Sequence, residues 1–272
     1  MTSYDGTAIT YDEIGNPLSY YNGTSYNFTW DGRRLVGAVK GTDILTFVYN
    51  SDGLRTSKTV NGATTTYLYD GSTLVAEYAP EYTCVYIYDE SGAIIGAKYI
   101  ATTDGSAWQK YFFEKNLQGD VVAVYSDTGT KLISYRYDAW GNTTTTYHNG
   151  GASTLASNNC ITYRGYYYDS DLGMYYLQSR YYDAKICRFI NADGYASTGQ
   201  GILGNNMFAY CNNNPIMLVD AGGEAAFPFY LIHWVGNIHK EIQEYLEKKD
   251  MKLKLELVLK KSTWLKAQMH TS

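Results

Sequence analysis

The feature that most constrains this chain is an aromatic residue followed by Asp or Asn, which recurs at nearly constant spacing. The first residues of five such pairs lie 19, 19, 20 and 19 positions apart, at Tyr11, Trp30, Tyr49, Tyr69 and Tyr88. Each pair precedes a turn, usually with Gly, and then another short strand pattern. A fixed period near 20 residues indicates an internal repeat, so the fold has to be built from that unit.

One repeat unit is predicted to be a β-hairpin. Segments such as residues 65–69 (TTYLY) mix β-branched and aromatic side chains, which suit a pleated, half-buried surface. Asp or Asn accepts backbone hydrogen bonds in the turn, and Gly adopts the positive φ that the turn requires. Because an isolated hairpin is only marginally stable, we expect neighbouring hairpins to pair into one long, curved sheet.

Composition excludes several classes of protein. The chain has 272 residues, of which 16% are aromatic and 18% charged, with a net charge of −5. So many aromatic residues argue against disorder, and the negative charge argues against a nucleic-acid binder that relies on phosphate contacts. We see no signal peptide, and the longest apolar stretch, 225–235, is too short to span a bilayer. The four cysteines have no CxxC pair, which favours buried free thiols over a zinc site: Cys84, Cys160, Cys187 and Cys211.

The composition changes near Gly223, which indicates a domain boundary. Of the 30 Tyr, 28 lie before this point, where the net charge is −7, whereas the remaining 49 residues carry +2. Apolar residues then recur at three and four positions, which predicts an amphipathic helix: Ile232, Val235, Ile238, Ile242, Tyr245 and Leu246. Residues 251–259 fit a strand or a helix nearly equally well. His233 and His239 are six apart, so they do not share a helical face for metal binding.

Sharper motifs follow the repeats, at residues 116–122 (NLQGDVV), 135–142 (YRYDAWGN), 163–169 (YRGYYYD), 172–183 (LGMYYLQSRYYD), 188–194 (RFINADG) and 212–215 (NNNP). Together they resemble the rearrangement-hotspot (RHS) proteins of bacteria, in which Tyr-Asp (YD) repeats precede an RHS repeat-associated core domain. The resemblance covers residues 4–223. It implies YD repeats over 1–110, the core domain over 111–223, and a variable, truncated toxin segment over 224–272.

The resemblance implies a mainly β fold, in which hairpins form a spiralling sheet as part of a shell, with a short helical tail. It also implies a function: a C-terminal fragment of a polymorphic toxin, secreted or at the cell surface, whose shell encloses and delivers the toxin in bacterial competition. The partners would be upstream repeats that complete the shell, and an immunity protein. No metal ion or other cofactor is expected.

An enzymatic alternative follows from the same resemblance, because many RHS cores are aspartyl proteases that cut their own chain just after the core. The matching residues are Asp193 and Asp220, with Arg188 nearby in sequence as a charge partner. Two carboxylates can cleave a peptide when one activates water and the other supplies a proton. The expected scissile bond joins Glu224 to Ala225.

The protease motif is degraded in this chain. The family places Pro after each aspartate and Leu at the end of the core, whereas here Gly194, Ala221 and Glu224 occupy these positions. The two aspartates are also common turn-capping residues, so capping is the simpler interpretation. A third alternative is a carbohydrate-binding surface in which Trp30, Trp108 and Trp140 stack on sugar rings, although the sheet needs the same aromatic residues for packing.

Overall fold

The structure is a computed structural model. It describes residues 1–102, 107–149, 158–194, 206–220, 222–224 and 226–228. The chain divides into two compact units, Met1–Pro228 and Phe229–Ser272. The second unit contains the predicted tail helix and lies outside the described residues.

The described part of the chain is mainly β-strand, as predicted. Two short 3₁₀ helices occur at Tyr163–Gly165 and Cys211–Asn213. The strands, in chain order, are β1 (Ser3–Tyr4), β2 (Thr7–Ala8), β3 (Thr10–Tyr11), β4 (Pro17–Tyr21), β5 (Ser25–Asp31), β6 (Arg34–Lys40), β7 (Asp43–Tyr49), β8 (Arg55–Val60), β9 (Ala63–Asp70), β10 (Thr73–Tyr78), β11 (Tyr82–Tyr88), β12 (Ile94–Ala101), β13 (Gln109–Lys115), β14 (Val121–Ser126), β15 (Lys131–Tyr137), β16 (Thr143–Tyr147), β17 (Tyr167–Asp169), β18 (Met174–Leu177), β19 (Arg180–Asp183), β20 (Arg188–Phe189), β21 (Leu218–Val219) and β22 (Phe227–Pro228).

Two sheets dominate the architecture. Strands β3 to β16 form one 14-stranded sheet in which every strand pairs with its neighbours in sequence, and we call this sheet the wall. Strands β17 to β20 form a second sheet in sequence order, which we call the core sheet. The hairpins therefore pair edge to edge, as the repeat predicted. The predicted division after residue 110 falls inside β13, and the assignment of repeats and core domain on either side of it stays a prediction.

The turns that follow the aromatic-Asp pairs are of two alternating kinds. After Asn50 and Asp89 the turn spans five residues, and the side-chain oxygen accepts backbone N–H groups two and four residues further on, at 2.9–3.0 Å. After Asp31 and Asp70 the turn has only two residues and begins with a positive-φ Gly. The structural repeat is therefore a pair of hairpins, about twice the period of the sequence motif.

In four of the aromatic-Asp or aromatic-Asn pairs, the aromatic residue joins one hairpin to the hairpin before it. Tyr49, Tyr88 and Tyr137 donate their hydroxyls to the carbonyls of Leu35, Leu74 and Val121 at 2.6–2.8 Å. Trp30 donates its ring N–H to Pro17 in the same way. Each acceptor is the first or second residue of a wall strand, and that strand follows the turn of an earlier hairpin. The recurring aromatic residue thus stabilises the contact between neighbouring repeat units.

The wall curves around the core sheet, so that strands near its two ends contact adjacent residues of the core. Asp183, at the end of β19, accepts hydrogen bonds from Tyr20 (2.8 Å) and Asn22, at the end of β4. The next residue, Ala184, accepts a hydrogen bond of 3.1 Å from Asn142, just before β16. Twelve inter-strand steps separate β4 from β16, so a flat sheet would place them about 58 Å apart. Adjacent residues contact both ends, so the wall is strongly curved.

Buried charges and aromatic rings join the wall to the core sheet. Arg55 of β8 is 1% exposed and pairs with Asp169 of β17 at 2.6 Å. Its guanidinium carbon lies 4.6–5.9 Å from the centres of five rings, Phe47, Tyr67, Tyr167, Tyr176 and Tyr181. Lys58 binds the other oxygen of Asp169 at 3.0 Å. A buried cation between aromatic faces and a carboxylate fixes the position of the core sheet against β8.

Candidate active site

The structure brings Asp193 and Asp220 to the same guanidinium group. Arg180 Nη2 lies 3.1 Å from Asp193 Oδ2 and 3.3 Å from Asp220 Oδ2, and all three side chains are at most 8% exposed. The rest of the arginine is also held, because Nη1 donates to Met207 O at 3.2 Å and the guanidinium lies 3.6 Å from the centre of the Phe189 ring. Burial lowers the pKa of Arg180, and the two carboxylates oppose that shift.

The structure places Arg180, which the sequence analysis did not name, at both aspartates, and the role of Arg188 as their charge partner stays a prediction. Antiparallel pairing places Arg188 opposite Asp183, at the turn end of the β19–β20 hairpin. The chain then runs back along β19, so that residues beyond Ile190 come to lie beside Arg180. In the sequence, Arg180 stands out only as the one cation of the stretch 180–183 (RYYD). Its acidic partners could not be assigned without the register of the hairpin.

The segment Gly222–Glu224 is held against these residues. Asp220 Oδ1 accepts the backbone N–H groups of Gly223 (2.8 Å) and Glu224 (3.0 Å), so it does cap a turn. The carbonyl oxygen of Gly223 accepts hydrogen bonds from Ser179 Oγ at 2.9 Å and from Arg180 Nε. Ser179 also donates to Gly222 O at 2.7 Å. Sequence analysis did not single out Ser179, and nothing in its local sequence distinguishes it from an ordinary turn serine.

Gly223 is required by its surroundings. Its φ is +76°, and a Cβ at this position would lie 2.8 Å from both Leu177 O and Ser179 Oγ. A side chain would displace the segment from Asp220 and Arg180. Short strands β21 and β22 pair on either side of the segment, with Val219 opposite Phe227, and close it into a hairpin loop.

A cavity of 270 Å³ opens beside Asp193. One side is formed by Ser179, Arg180, Asp193 and the segment Gly222–Glu224, and the other by wall residues at the turns after β5 and β7. A water molecule needs only a small fraction of this volume. The site thus places two buried carboxylates on one guanidinium, with room for water beside Asp193, and peptide hydrolysis by paired carboxylates requires both the acids and the water.

The other predicted site residues are Ala225 and three tryptophans, and the tryptophans do not line this cavity. Ala225 is outside the described residues, so the Glu224–Ala225 bond itself is not seen. Trp30 is tied to Pro17, Trp108 is 50% exposed, and Trp140 lies in the turn after β15. No ring contact joins any two of these tryptophans in the described part of the chain. Carbohydrate binding by them stays a prediction.

The four cysteines are free, in agreement with the sequence analysis. Cys84 and Cys211 are buried, whereas Cys160 and Cys187 are half-buried. Burial raises the pKa of each thiol, to about 12 for Cys211, so none is activated as a nucleophile. Within the described ranges, no three His, Cys, Asp or Glu side chains are grouped to hold a metal ion. Those ranges also contain no helix of the length and apolar character needed to cross a membrane.

Comparison of sequences finds relatives among nucleases and toxins. The chain is 37% identical over 243 residues to the tRNA3(Ser)-specific nuclease WapA of Bacillus spizizenii and 36% identical to the tRNA nuclease WapA of Bacillus subtilis (strain 168), with 86% of the chain covered in both cases. It is 26% identical over 244 residues to the double-stranded DNA deaminase toxin A of Burkholderia cenocepacia, with 79% covered. The chain spans 9% of the length of each WapA protein and 17% of the deaminase toxin. No protein-family model matches the chain.

Solved structures with a similar fold belong to Tc toxin assemblies. The match to TcdB2–TccC3–TEV has a TM-score of 0.62 at 21% identity, and covers 78% of this chain and 11% of that one. The match to the Photorhabdus luminescens Tc holotoxin pore has a TM-score of 0.59 at 21% identity, covering 78% and 10%. The relatives and the shared fold support an RHS-type toxin relationship, without marking where repeats end and the core domain begins.

Proposed function

We propose that residues 1–223 are part of an RHS shell that encloses a C-terminal toxin segment and delivers it in competition between bacteria. The observation that carries the proposal is the closure of the wall, in which Asp183 and Ala184 contact strands twelve steps apart. A sheet curved to this degree separates an interior from solvent. The nuclease and toxin relatives support a toxin as the content of such a container.

The proposal includes location and partners. A competition toxin acts outside its producing cell, so we infer a secreted or surface-exposed protein. Strand β3 is one of the two edges of the wall, and Tyr-Asp hairpins from the upstream part of a longer polypeptide would add their strands there. An immunity protein would bind the toxin segment and protect the producing cell.

Trypsin protection tests the container. Segment 229–272 contains eight lysines, and we compare their cleavage rates in the full chain and in a synthetic peptide of the same residues. If the wall shields the segment, cleavage in the full chain is slower by about tenfold or more, because it requires transient opening. Arg55→Met, which loosens the wall from the core sheet, should then raise the rate. Equal rates in chain and peptide would rule out shielding.

A second function, self-cleavage by an aspartyl protease, is favoured by one specific observation. Arg180 contacts both Asp193 and Asp220, and Asp220 also binds the backbone of Glu224, next to the expected scissile bond. One aspartate would activate water from the cavity while the other protonates the departing nitrogen. The shared arginine compensates one of the two negative charges, which makes two neighbouring buried carboxylates tolerable.

Intact-mass measurement of the purified full chain tests self-cleavage. We expect a cut after Glu224 on prolonged incubation, and we expect Asp193→Asn and Asp220→Asn to abolish it. Asp52→Asn is the matched control, because Asp52 lines the same cavity but is exposed on the wall side. A wild-type chain that keeps its mass of 30.6 kDa at every pH tested would exclude this function and leave the container proposal intact.

A further inference from the structure

A turn of the wall reaches the loop that carries Asp193. Arg33 lies in the two-residue turn between β5 and β6, is half-buried, and donates from Nη1 to Ala192 O at 3.1 Å. Ala192 is 3% exposed and directly precedes Asp193. The position of the Asp193 backbone is therefore set in part by a residue some 160 positions earlier, in the repeat region.

The same turn is linked to the strand that carries Arg180. Asn191 is 1% exposed, and its Nδ2 donates to the carbonyl of Arg33 at 3.3 Å. Its Oδ1 accepts the backbone N–H of Tyr181, the residue after Arg180, also at 3.3 Å. One buried amide thus connects the wall turn, the Asp193 loop and strand β19. A buried amide with both ends bonded holds its partners in a single arrangement.

The turn is itself fixed by the preceding repeat unit. Asn16 is fully buried and donates to Gly32 O at 2.8 Å, and its Nδ2 also donates to Asp12 Oδ2 at 2.8 Å. Two aromatic-Asp turns of the wall are therefore connected in series to the candidate site. The wall also forms one side of the 270 Å³ cavity, where Arg33 and Arg34 face Asp193 and Glu224.

We propose that the wall positions Asp193 through Arg33, so that self-cleavage begins only after the β5–β6 hairpin has packed on the core sheet. The inference rests on the self-cleavage proposed above. Arg33 is a positioning residue. It does not touch the reacting atoms, but it holds the backbone next to Asp193, whose carboxylate would touch them. The consequence is an order of events, in which the container closes before the toxin segment is cut free.

Cleavage kinetics of full-chain variants test the coupling. Arg33→Met removes the donor to Ala192 O while keeping the bulk of the side chain, and should slow cleavage by about tenfold or more, since small misplacements of catalytic groups carry such costs. Arg34→Met is the matched control, because Arg34 neighbours Arg33, lines the same cavity and is exposed. Arg33→Lys keeps a donor that can reach Ala192 O, and should recover most of the rate.

Urea unfolding of each variant, and rates measured where all are folded, separate positioning from loss of fold. If Arg33→Met does not fold, Arg33→Gln replaces it under the same criteria. A wild type that never cleaves overturns both the self-cleavage and the coupling. If the wild type cleaves and Arg33→Met cleaves equally fast, the coupling alone is overturned. The coupling is also overturned if Arg33→Met and Arg34→Met slow cleavage by the same factor.

Discussion

The wall and the core sheet use the same tyrosine-rich composition in opposite ways. Along a wall strand such as β5, buried and exposed residues alternate, so that one face packs inward and the other faces solvent. Strands β18 and β19 are buried at every position. Tyr49 of the wall donates to the backbone of Leu35, and Tyr167 of the core sheet donates to a wall side chain, Glu77, at 2.8 Å. Whether burial alternates or runs unbroken along a strand therefore distinguishes the wall from the core sheet.

The largest effect on stability is expected at the buried ion pair that joins the two sheets. Arg55→Met leaves Asp169 without its principal partner, and we expect a loss of about 3–5 kcal/mol in the free energy of unfolding, measured by urea titration. The control is Lys131→Met in the exposed pair with Glu114, at 3.9 Å on the wall surface, which should leave stability unchanged. Similar losses in both variants would mean that the buried junction has no special weight.

The next largest effect on stability is expected from truncating an apolar side chain, and its size should differ between the buried core and the outer face of the wall. Leu172, adjacent to β18, is 0% exposed, and Leu172→Ala should cost about 2–5 kcal/mol because it leaves a cavity. Ile44 on the outer face of the wall is 59% exposed, and Ile44→Ala should cost below about 1 kcal/mol. Urea midpoints of the two variants measure the difference, and a reversal of their order would contradict the assignment of inner and outer faces.

The pH dependence of stability should show two opposite trends at the junction of the sheets. Burial raises the pKa of Asp169, but Arg55 and Lys58 outweigh it and lower this pKa to about 2. Its stabilising contribution is complete above the unfolded pKa of about 3.9 and is lost as the pH falls toward 2. Burial raises the pKa of Glu77 and of Asp183, against the effect of their hydrogen bonds. Their contribution is present at low pH and is lost as the pH rises through the raised values.

Stability should therefore increase on acidification from neutral pH toward about 4, the unfolded range of carboxyl groups, and then fall. Urea midpoints across this range measure the curve. Glu77→Gln should flatten the rise, because the amide does not titrate, while leaving the fall below pH 4 in place. A rise of the same size in Glu77→Gln would show that this buried carboxyl does not contribute to it.

The smallest effect separates the two kinds of turn within the wall. Asp89→Ala removes the side-chain acceptor of two backbone N–H groups, and should cost about 1 kcal/mol. Asp70 makes no side-chain hydrogen bond among the residues that the structure describes, so Asp70→Ala should cost less than about 0.5 kcal/mol. Thermal midpoints compare the pair. Equal losses would show that the two kinds of turn are energetically alike.

Much of the wall could be predicted from sequence, because its rules are local. The spacing of Tyr11, Trp30 and Tyr49 identifies the hairpin, and turn residues set the register. The alternation of two turns was also readable, because Gly follows Asp31 directly but comes three positions after Asn50. The predicted 20-residue hairpin treats these turns as one class and therefore lacks the double unit.

The site was less predictable, because it depends on contacts between distant residues. Asp193 and Asp220 were identified by their motif positions, but the contact of both with Arg180 depends on hairpin register. The role of Arg33 depends on where the wall meets the core sheet, which no local pattern encodes. The closure of the wall is equally non-local, since it results from the twist and curvature accumulated over many strands.

The contact of both wall ends with Asp183 and Ala184 has a consequence for how such a gene can change. Duplicating one Tyr-Asp unit between β4 and β16 would insert two strands and add about 10 Å to the circumference. Asn22 and Asn142 could then no longer both reach their partners, Asp183 and Ala184. We expect the core sheet to fix the number of Tyr-Asp units between β4 and β16. The number of repeats should vary only outside this segment.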